Sequence, residues 1–223
     1  MEFIEKAIKE GRKTLSEYES KLLLKQYSIP TTKEMIIKSE NELKDAIEKI
    51  GFPMVMKGCS CEITHKTEQG LIITDIRTEK EANRAFNEIY KKIKHIKDAA
   101  LLVQEMVNGK RELMVGMIKD EQFGTSVMFG LGGIFTEILK DVSFRIAPLN
   151  IEEAIDMIME INSRKILDSI RGMPKVDIKM LAEVIISVGK IGLENKHIKE
   201  MDINPLIISG SMPIAVDALV VFE

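Results

Sequence analysis

Residues 63–70 read ITHKTEQG, and His65 is one of only three histidines in 223 residues. It stands in a loop eight positions after Lys57, between the apolar stretches FPMVMK and GLIITDI. A neutral imidazole is a competent nucleophile near pH 7 and can form a transferable phosphoramidate. A solvated loop histidine is the commoner object, and the spacing by itself leaves both open. His95 (KKIKHIKD) and His197 (ENKHIKE) lie among lysines and read as surface residues. Lys57 closes an apolar strand, where a lysine either snorkels its stem along the protein or aims its ammonium at an anion.

Other candidates carry oxygen ligands. In EMDINPL, Asp202 and Asn204 alternate onto one face of an extended strand, and Asp217 in AVDAL can face them from a neighbouring one. Carboxylate and amide oxygens suit Mg²⁺, which keeps few protein ligands and completes its shell with water and phosphate. Both segments are otherwise apolar, where polar groups are rarely hidden without cause. Glycines 130, 132 and 133 in FGLGGIF free the backbone to present N–H groups to a phosphate, although a tight hairpin explains them equally well. No GK[ST] follows and position 135 is Phe, so neither the P-loop nor the dinucleotide fingerprint is present. Glu105, Glu112 and Glu137 each interrupt an apolar run. Cys59 and Cys61 are spaced C-x-C, too close for an unstrained disulfide and one ligand pair short of a zinc site.

The elements that must hold these residues are legible from caps and periodicity. Ser16–Glu19, Ser39–Glu42 and Thr78–Glu81 are three capping boxes. They open helices whose apolar positions recur at helical spacing, ending before Pro30, at Gly51 and near Ile96. Strands are expected at 33–38, 53–57 and 70–76. LLVQEMV, RELMVGMI, TSVMFG and GIFTEIL then follow as four short strands separated by turn residues. Two helices near 151–161 and 178–190 precede two closing strands, IKEMDINPLII and MPIAVDALVVF. The expected fold class is mixed α+β, with a lobe at 1–100 that carries a short N-terminal helix, a second lobe at 101–223, and a ligand cleft between them.

The net charge of −3 and the lack of a basic run argue against nucleic acid as a partner. The uncharged stretches 123–136 and 203–216 are too short for a membrane span, and MEFIEKAIKEGRK has no apolar signal core, so a cytoplasmic setting is expected.

In order and spacing, LSEYESKLLLKQYSIPTTKE, IGFPMVMK, ITHKTEQG, VQEMVNGKRELMVGM, DEQFGTSVMFGLGGIFTEILKDVSFRIAPL and EMDINPL…VDAL resemble the ATP-grasp β subunit of ADP-forming acyl-CoA (acetyl-CoA) synthetases, within the succinyl-CoA synthetase superfamily. The resemblance implies an ATP-grasp fold with nucleotide between two lobes. It implies the reaction acyl-CoA + ADP + phosphate ⇌ acid + ATP + CoA, with Mg²⁺, ATP or ADP as substrate, and a separate α subunit bearing CoA-binding and ligase modules in an α2β2-like assembly. By matching positions, His65 would carry phosphoryl on a mobile loop and Lys57 would contact nucleotide phosphates. Glu105 would lie at the interlobe hinge by the adenine and Glu112 by the ribose, with Val107, Gly132 and Gly133 also contacting the nucleotide. Asn204 and Asp217 would hold Mg²⁺ with Asp202 close by, and Lys66 would offset charge on the loop. The chain departs from the family pattern at Ser60-Cys61, at Glu68 and at Ser169–Gly172. A nucleotide sensor that does no chemistry and a self-sufficient carboxylate–amine ligase are alternative readings of the same fold.

Overall fold

The computed structural model describes residues 2–63, 66–133 and 141–223. His65, Glu137 and most of GIFTEIL therefore lie outside the described residues. Six α-helices are described: α1 (Glu2–Lys9), α2 (Glu17–Gln26), α3 (Glu40–Ile50), α4 (Glu79–Ile93), α5 (Ile151–Glu160) and α6 (Ile178–Glu194). The ten described strands are β1 (Glu34–Ile37), β2 (Met54–Cys59), β3 (Ile72–Ile76), β4 (Ala100–Glu105), β5 (Glu112–Asp120), β6 (Gly124–Leu131), β7 (Val142–Ile146), β8 (Ile198–Ser209), β9 (Met212–Ala215) and β10 (Ala218–Phe222).

The caps set the helix starts. Ser16 accepts from Glu19 N–H while the Glu19 carboxylate takes Ser16 N–H at 2.9 Å, a complete box. At α3 and α4 the N-cap hydroxyls of Ser39 and Thr78 do the same, but Glu42 and Glu81 reach one residue further back, to Lys38 N–H and Arg77 N–H. Gly51 ends α3 at φ 78°, a left-handed position that costs glycine little.

Two antiparallel sheets result, in the orders β1-β4-β2-β3 and β10-β8-β5-β6-β7, with β9 paired to β8. Helices α3 and α4 cover one face of the first sheet, burying Leu43, Ala46, Phe86 and Ile89 against Met54, Met56, Leu101 and Val103. Helices α5 and α6 cover one face of the second.

Three placements differ from those expected. LLVQEMV, read with the three strands after it, forms β4 at the interior of the first sheet, where Ile37↔Leu101 and Met54↔Glu105 set its register. A short connection said little about which sheet the strand would join, because pairing partners are non-local. MPIAVDALVVF, read as one strand, breaks at Val216-Asp217 into β9 and β10. Residues 2–29 do not pack with the first sheet's core. Ile4, Ala7, Leu15, Leu23, Leu24 and Ile29 lie in the core of the second. Leu15 N–H bonds Val220 C=O, and Phe222 N–H bonds Lys13 C=O. Among the described residues no helix is long and apolar enough to cross a membrane.

Candidate functional site

Lys57 sits on β2 with its neighbours Met56 and Gly58 turned to the helices, so strand alternation sends its side chain out of the opposite face. That face meets α2 and the β9–β10 break. Lys57 Nζ lies 2.6 Å from Glu17 Oε1, 3.1 Å from Val216 C=O and 3.5 Å from Asp217 Oδ2, with its side chain 4% exposed. The break has a visible cause. Val216 N–H turns to Pro205 C=O, its own C=O faces Lys57 and Lys21, and Asp217 turns toward the lysines.

Glu17 is the hub. One turn apart on α2, Glu17 and Lys21 form an i,i+4 pair at 3.0 Å. Lys21, fully buried, also pairs with Glu34 and donates to Gln104 Oε1 at 2.7 Å. Lys66, next in the chain to His65, sets its ammonium between the Glu17 carboxylate and both Asp217 oxygens, at 3.1 and 3.0 Å. Burial alone would push Glu17 up, but Lys57, Lys21 and Lys66 outweigh it and hold the carboxyl well below the usual range. For Lys66 burial likewise opposes the charge, and Asp217 and Glu17 reverse it, raising the ammonium above its ordinary value. Glu17 and Lys66 are thus both charged at neutral pH.

Beside it, register sets Ala218 opposite Ile203 and Leu219 opposite Asp202, which brings Asp202, Asn204 and Asp217 onto the wall of one cavity of about 520 Å³ together with Glu17 and Lys66. Asp202 Oδ1 is shut from solvent and, among the described residues, has no hydrogen-bond partner. Burial, with Glu200 and Asp217 adding like charge, pushes the Asp202 carboxyl up to about 6. An orphaned carboxylate oxygen beside the like charges of Glu200 and Asp217 is what a bound cation would satisfy. Asn204 Oδ1 accepts Gly133 N–H at 3.2 Å and has a second lone pair free. Among the described residues no three His, Cys, Asp or Glu side chains form a cage. Two aspartates and an amide nevertheless fit Mg²⁺, whose remaining ligands are water and phosphate.

The nucleotide-side candidates fall into two groups. Gly132 N–H donates to Glu112 C=O at 2.9 Å, and a Cβ on Gly133 would come 2.3 Å from Glu112 Oε2. Glu112, the glycines and Asn204 are therefore contiguous. Glu105 ends β4 and clasps Lys33: its N–H donates to Lys33 C=O, and its Oε1 takes Lys33 N–H at 2.8 Å. Val107 follows, half-buried, in the connection between the sheets. His95 and His197 are exposed, as expected. Cys59 and Cys61 are free thiols, and burial pushes Cys59 up to about 11, so it is an inert core group.

Sequence reasoning missed Glu17 and Lys21 as site residues, treating Glu17 as part of a cap. The signal was present: an acid and a lysine at i,i+4 continue to Leu24 at i+7, along the stripe that the helix buries. A larger cavity, about 800 Å³, lies elsewhere, between 108–111 and 170–174. Its Arg111 guanidinium is tied to the carbonyls of Ile166, Asp168, Pro174 and Gly210, a scaffold role.

Residues 6–222 match the ATP-grasp domain family. The chain is 45% identical over 221 residues to the β subunit of ADP-forming acetate–CoA ligase I of Pyrococcus furiosus, covering 97% of this chain and 95% of that one. It is 37% identical to ADP-forming acetate–CoA ligase I of Archaeoglobus fulgidus, where the match covers 97% of this chain but 32% of the longer polypeptide. Among solved structures, it superposes with a TM-score of 0.88, at 40% identity over 99% of this chain and 98% of the other, on acetyl-coenzyme A synthetase 1 of Ca. Korarchaeum cryptofilum. That structure holds coenzyme A and Mg-AMPPCP, with its phosphohistidine segment pointing towards the nucleotide binding site. The two facing sheets, the lysine-bearing strand and the extent of these matches together make the chain a member of the ATP-grasp family.

Proposed function

We propose that the chain is the nucleotide-binding β subunit of an ADP-forming acyl-CoA (acetyl-CoA) synthetase, acting with an α subunit that carries the CoA-binding and ligase modules in an α2β2-like assembly. The reaction is acyl-CoA + ADP + phosphate ⇌ acid + ATP + CoA. The observation that carries this reading is the cavity in which Asp202, Asn204 and Asp217 face the Lys57–Glu17–Lys66 network, with Lys66 adjoining His65 in the chain. The similarity to a β subunit and to a longer single-chain enzyme supports the need for a partner.

In the direction of ATP synthesis, a phosphoryl group on His65 passes to the terminal oxygen of ADP. The N–P bond breaks, an O–P bond forms, and the imidazole recovers its electron pair. Lys57, projecting from β2 into the cleft side of its sheet, neutralises phosphate oxygens. Glu112, Gly132 and Gly133 line the nucleotide, and Glu105 and Val107 hold the adenine where the chain passes between the sheets. Asp202, Asn204 and Asp217 hold Mg²⁺, which when bound offsets charge on the transferring phosphoryl group. The chemistry asks for positioned charge rather than a further covalent group from the protein.

The test is incubation with Mg²⁺ and γ-labelled ATP, with and without the α subunit. The expected result is acid-labile, base-stable label at residue 65. Nucleotide binding without label would favour a sensor, and turnover with an amine acceptor but no label would favour a carboxylate–amine ligase.

A further inference from the structure

Lys66 sets its ammonium against both oxygens of Asp217, at 3.1 and 3.0 Å, and against Glu17 Oε2. The side chain is 15% exposed, so this is a seated ion pair and not a passing surface contact. It is also redundant for neutralising Glu17, whose other oxygen already faces Lys57 at 2.6 Å and Lys21 at 3.0 Å. The one carboxylate that depends on Lys66 at close range is Asp217, since Lys57 stands 3.5 Å from it. An ammonium that faces both oxygens of a carboxylate occupies the sector a divalent cation would use.

We propose that Lys66 is a positioning residue that holds the cation seat on Asp217: divalent metal and the Lys66 ammonium compete for that carboxylate, so metal arrival releases the 66–70 turn from Asp217. The turn is closed on itself by Leu71 N–H to Lys66 C=O at 2.8 Å and Gly70 N–H to Thr67 C=O at 3.1 Å. Lys66 ties this turn to Asp217, at the break between β9 and β10, while Lys92 Nζ holds Gly70 C=O on the side of the first sheet. Glu17 keeps Lys57 and Lys21 after the exchange, so the network stays neutralised while one strut moves. In catalysis, this couples docking of the segment beside His65 to the occupancy of the metal site. The proposal rests on the reading of Asp217 as a metal ligand under the function above.

Two measurements on the full chain test it without turnover. The first is amine-reactive footprinting of Lys66 by mass spectrometry, with and without Mn²⁺. The second is Mn²⁺ affinity, from the free-ion paramagnetic resonance signal, for the wild type, Lys66→Met and Lys66→Arg. Loss of one charge-assisted contact corresponds to about a tenfold change. Mn²⁺ should raise the labelling rate of Lys66 by roughly that factor. Lys66→Met should bind Mn²⁺ about tenfold tighter, and Lys66→Arg, which keeps the charge, should stay near the wild type. Unchanged Lys66 labelling at saturating Mn²⁺ would overturn the proposal. So would wild-type affinity in Lys66→Met, or no Mn²⁺ binding at all. The phosphohistidine label is a separate arm. Label at residue 65 with no exchange at Lys66 refutes this inference alone, and exchange without label refutes the function alone.

Discussion

Glu17→Gln changes one atom and tests whether the buried charge network holds the two sheets together. Its side chain is 3% exposed and its partners Lys21 and Lys57 are 0% and 4% exposed, so water can do little to replace the lost charge. Removing one member of a buried pair costs about 3–5 kcal/mol, because the partner is left uncompensated. Here Lys21 keeps Glu34 and Lys66 keeps Asp217, which leaves Lys57 as the uncompensated charge, its next carboxylate oxygen 3.5 Å away. The amide can still accept a hydrogen bond, so the low end of the range, about 3 kcal/mol, is expected. Urea unfolding at pH 7 should show the loss with an unchanged slope, and the melting temperature should fall by roughly 6–12 °C. Adding Lys57→Met should recover more than half of the stability, since charge and counter-charge then leave together. A loss under about 0.5 kcal/mol, or a double variant as weak as the sum of the singles, refutes the reasoning. Glu17 is held below its ordinary value, so its contribution is fully present above the unfolded carboxylate range and is lost progressively as pH falls from there, until acid protonates the folded form as well.

Four further outcomes are expected. His65→Ala should abolish acyl-CoA-dependent ATP synthesis while ADP affinity by calorimetry stays near wild type; equal loss of both would make the residue structural. Lys57→Ala should weaken ADP binding by roughly 1.5–3 kcal/mol, the worth of a charged contact, and unchanged affinity would remove it from the phosphate site. Asp202→Asn should stabilise the metal-free protein by up to about 3 kcal/mol at pH 7, because burial and the neighbouring carboxylates push the folded carboxyl up to about 6 from its ordinary 3.8. The folded form binds the extra proton between those values, so wild-type stability falls as pH rises from about 4 to 6, and the variant's advantage should fade toward pH 4; a pH-independent difference in unfolding free energy would contradict it. Gly132→Ala would put a Cβ 2.4 Å from Leu113 C=O, backbone that cannot swing aside, and should cost about 1–3 kcal/mol by urea unfolding; a neutral result would show that β5 yields at this point.

What the sequence disclosed followed how local each signal is. The three cap sequences needed only neighbours within one turn, and all three helices begin where those residues stand, though only the first closes as a full capping box. Asp202 and Asn204 could be paired in advance because strand alternation is a short-range rule, and β8 carries both; Asp217, expected on a neighbouring strand, reaches the same cavity from the break before β10. Long-range choices were not written in any window. β4 has the same apolar texture as its successors, yet it joins the other sheet. The break at Val216-Asp217 follows from Lys57 and Lys21, residues far away in the chain. Glu17 reads as a cap residue until Lys57 and Lys66 approach it from another element.

The pairing of Lys13 and Leu15 with Val220 and Phe222 sets an order of assembly. On the ribosome, residues 2–29 emerge well before residues 198–222, yet their apolar faces share a core with the strands those later residues form. The first sheet, with β1 to β4 and its own helices, can close as soon as residue 105 is out. The opening helices must wait, amphipathic and unmatched, while the next hundred residues are synthesised. A delay at that stage exposes Leu23, Leu24 and Ile29, which makes this segment the natural target for a holding chaperone and the place where slowed translation would cost soluble yield.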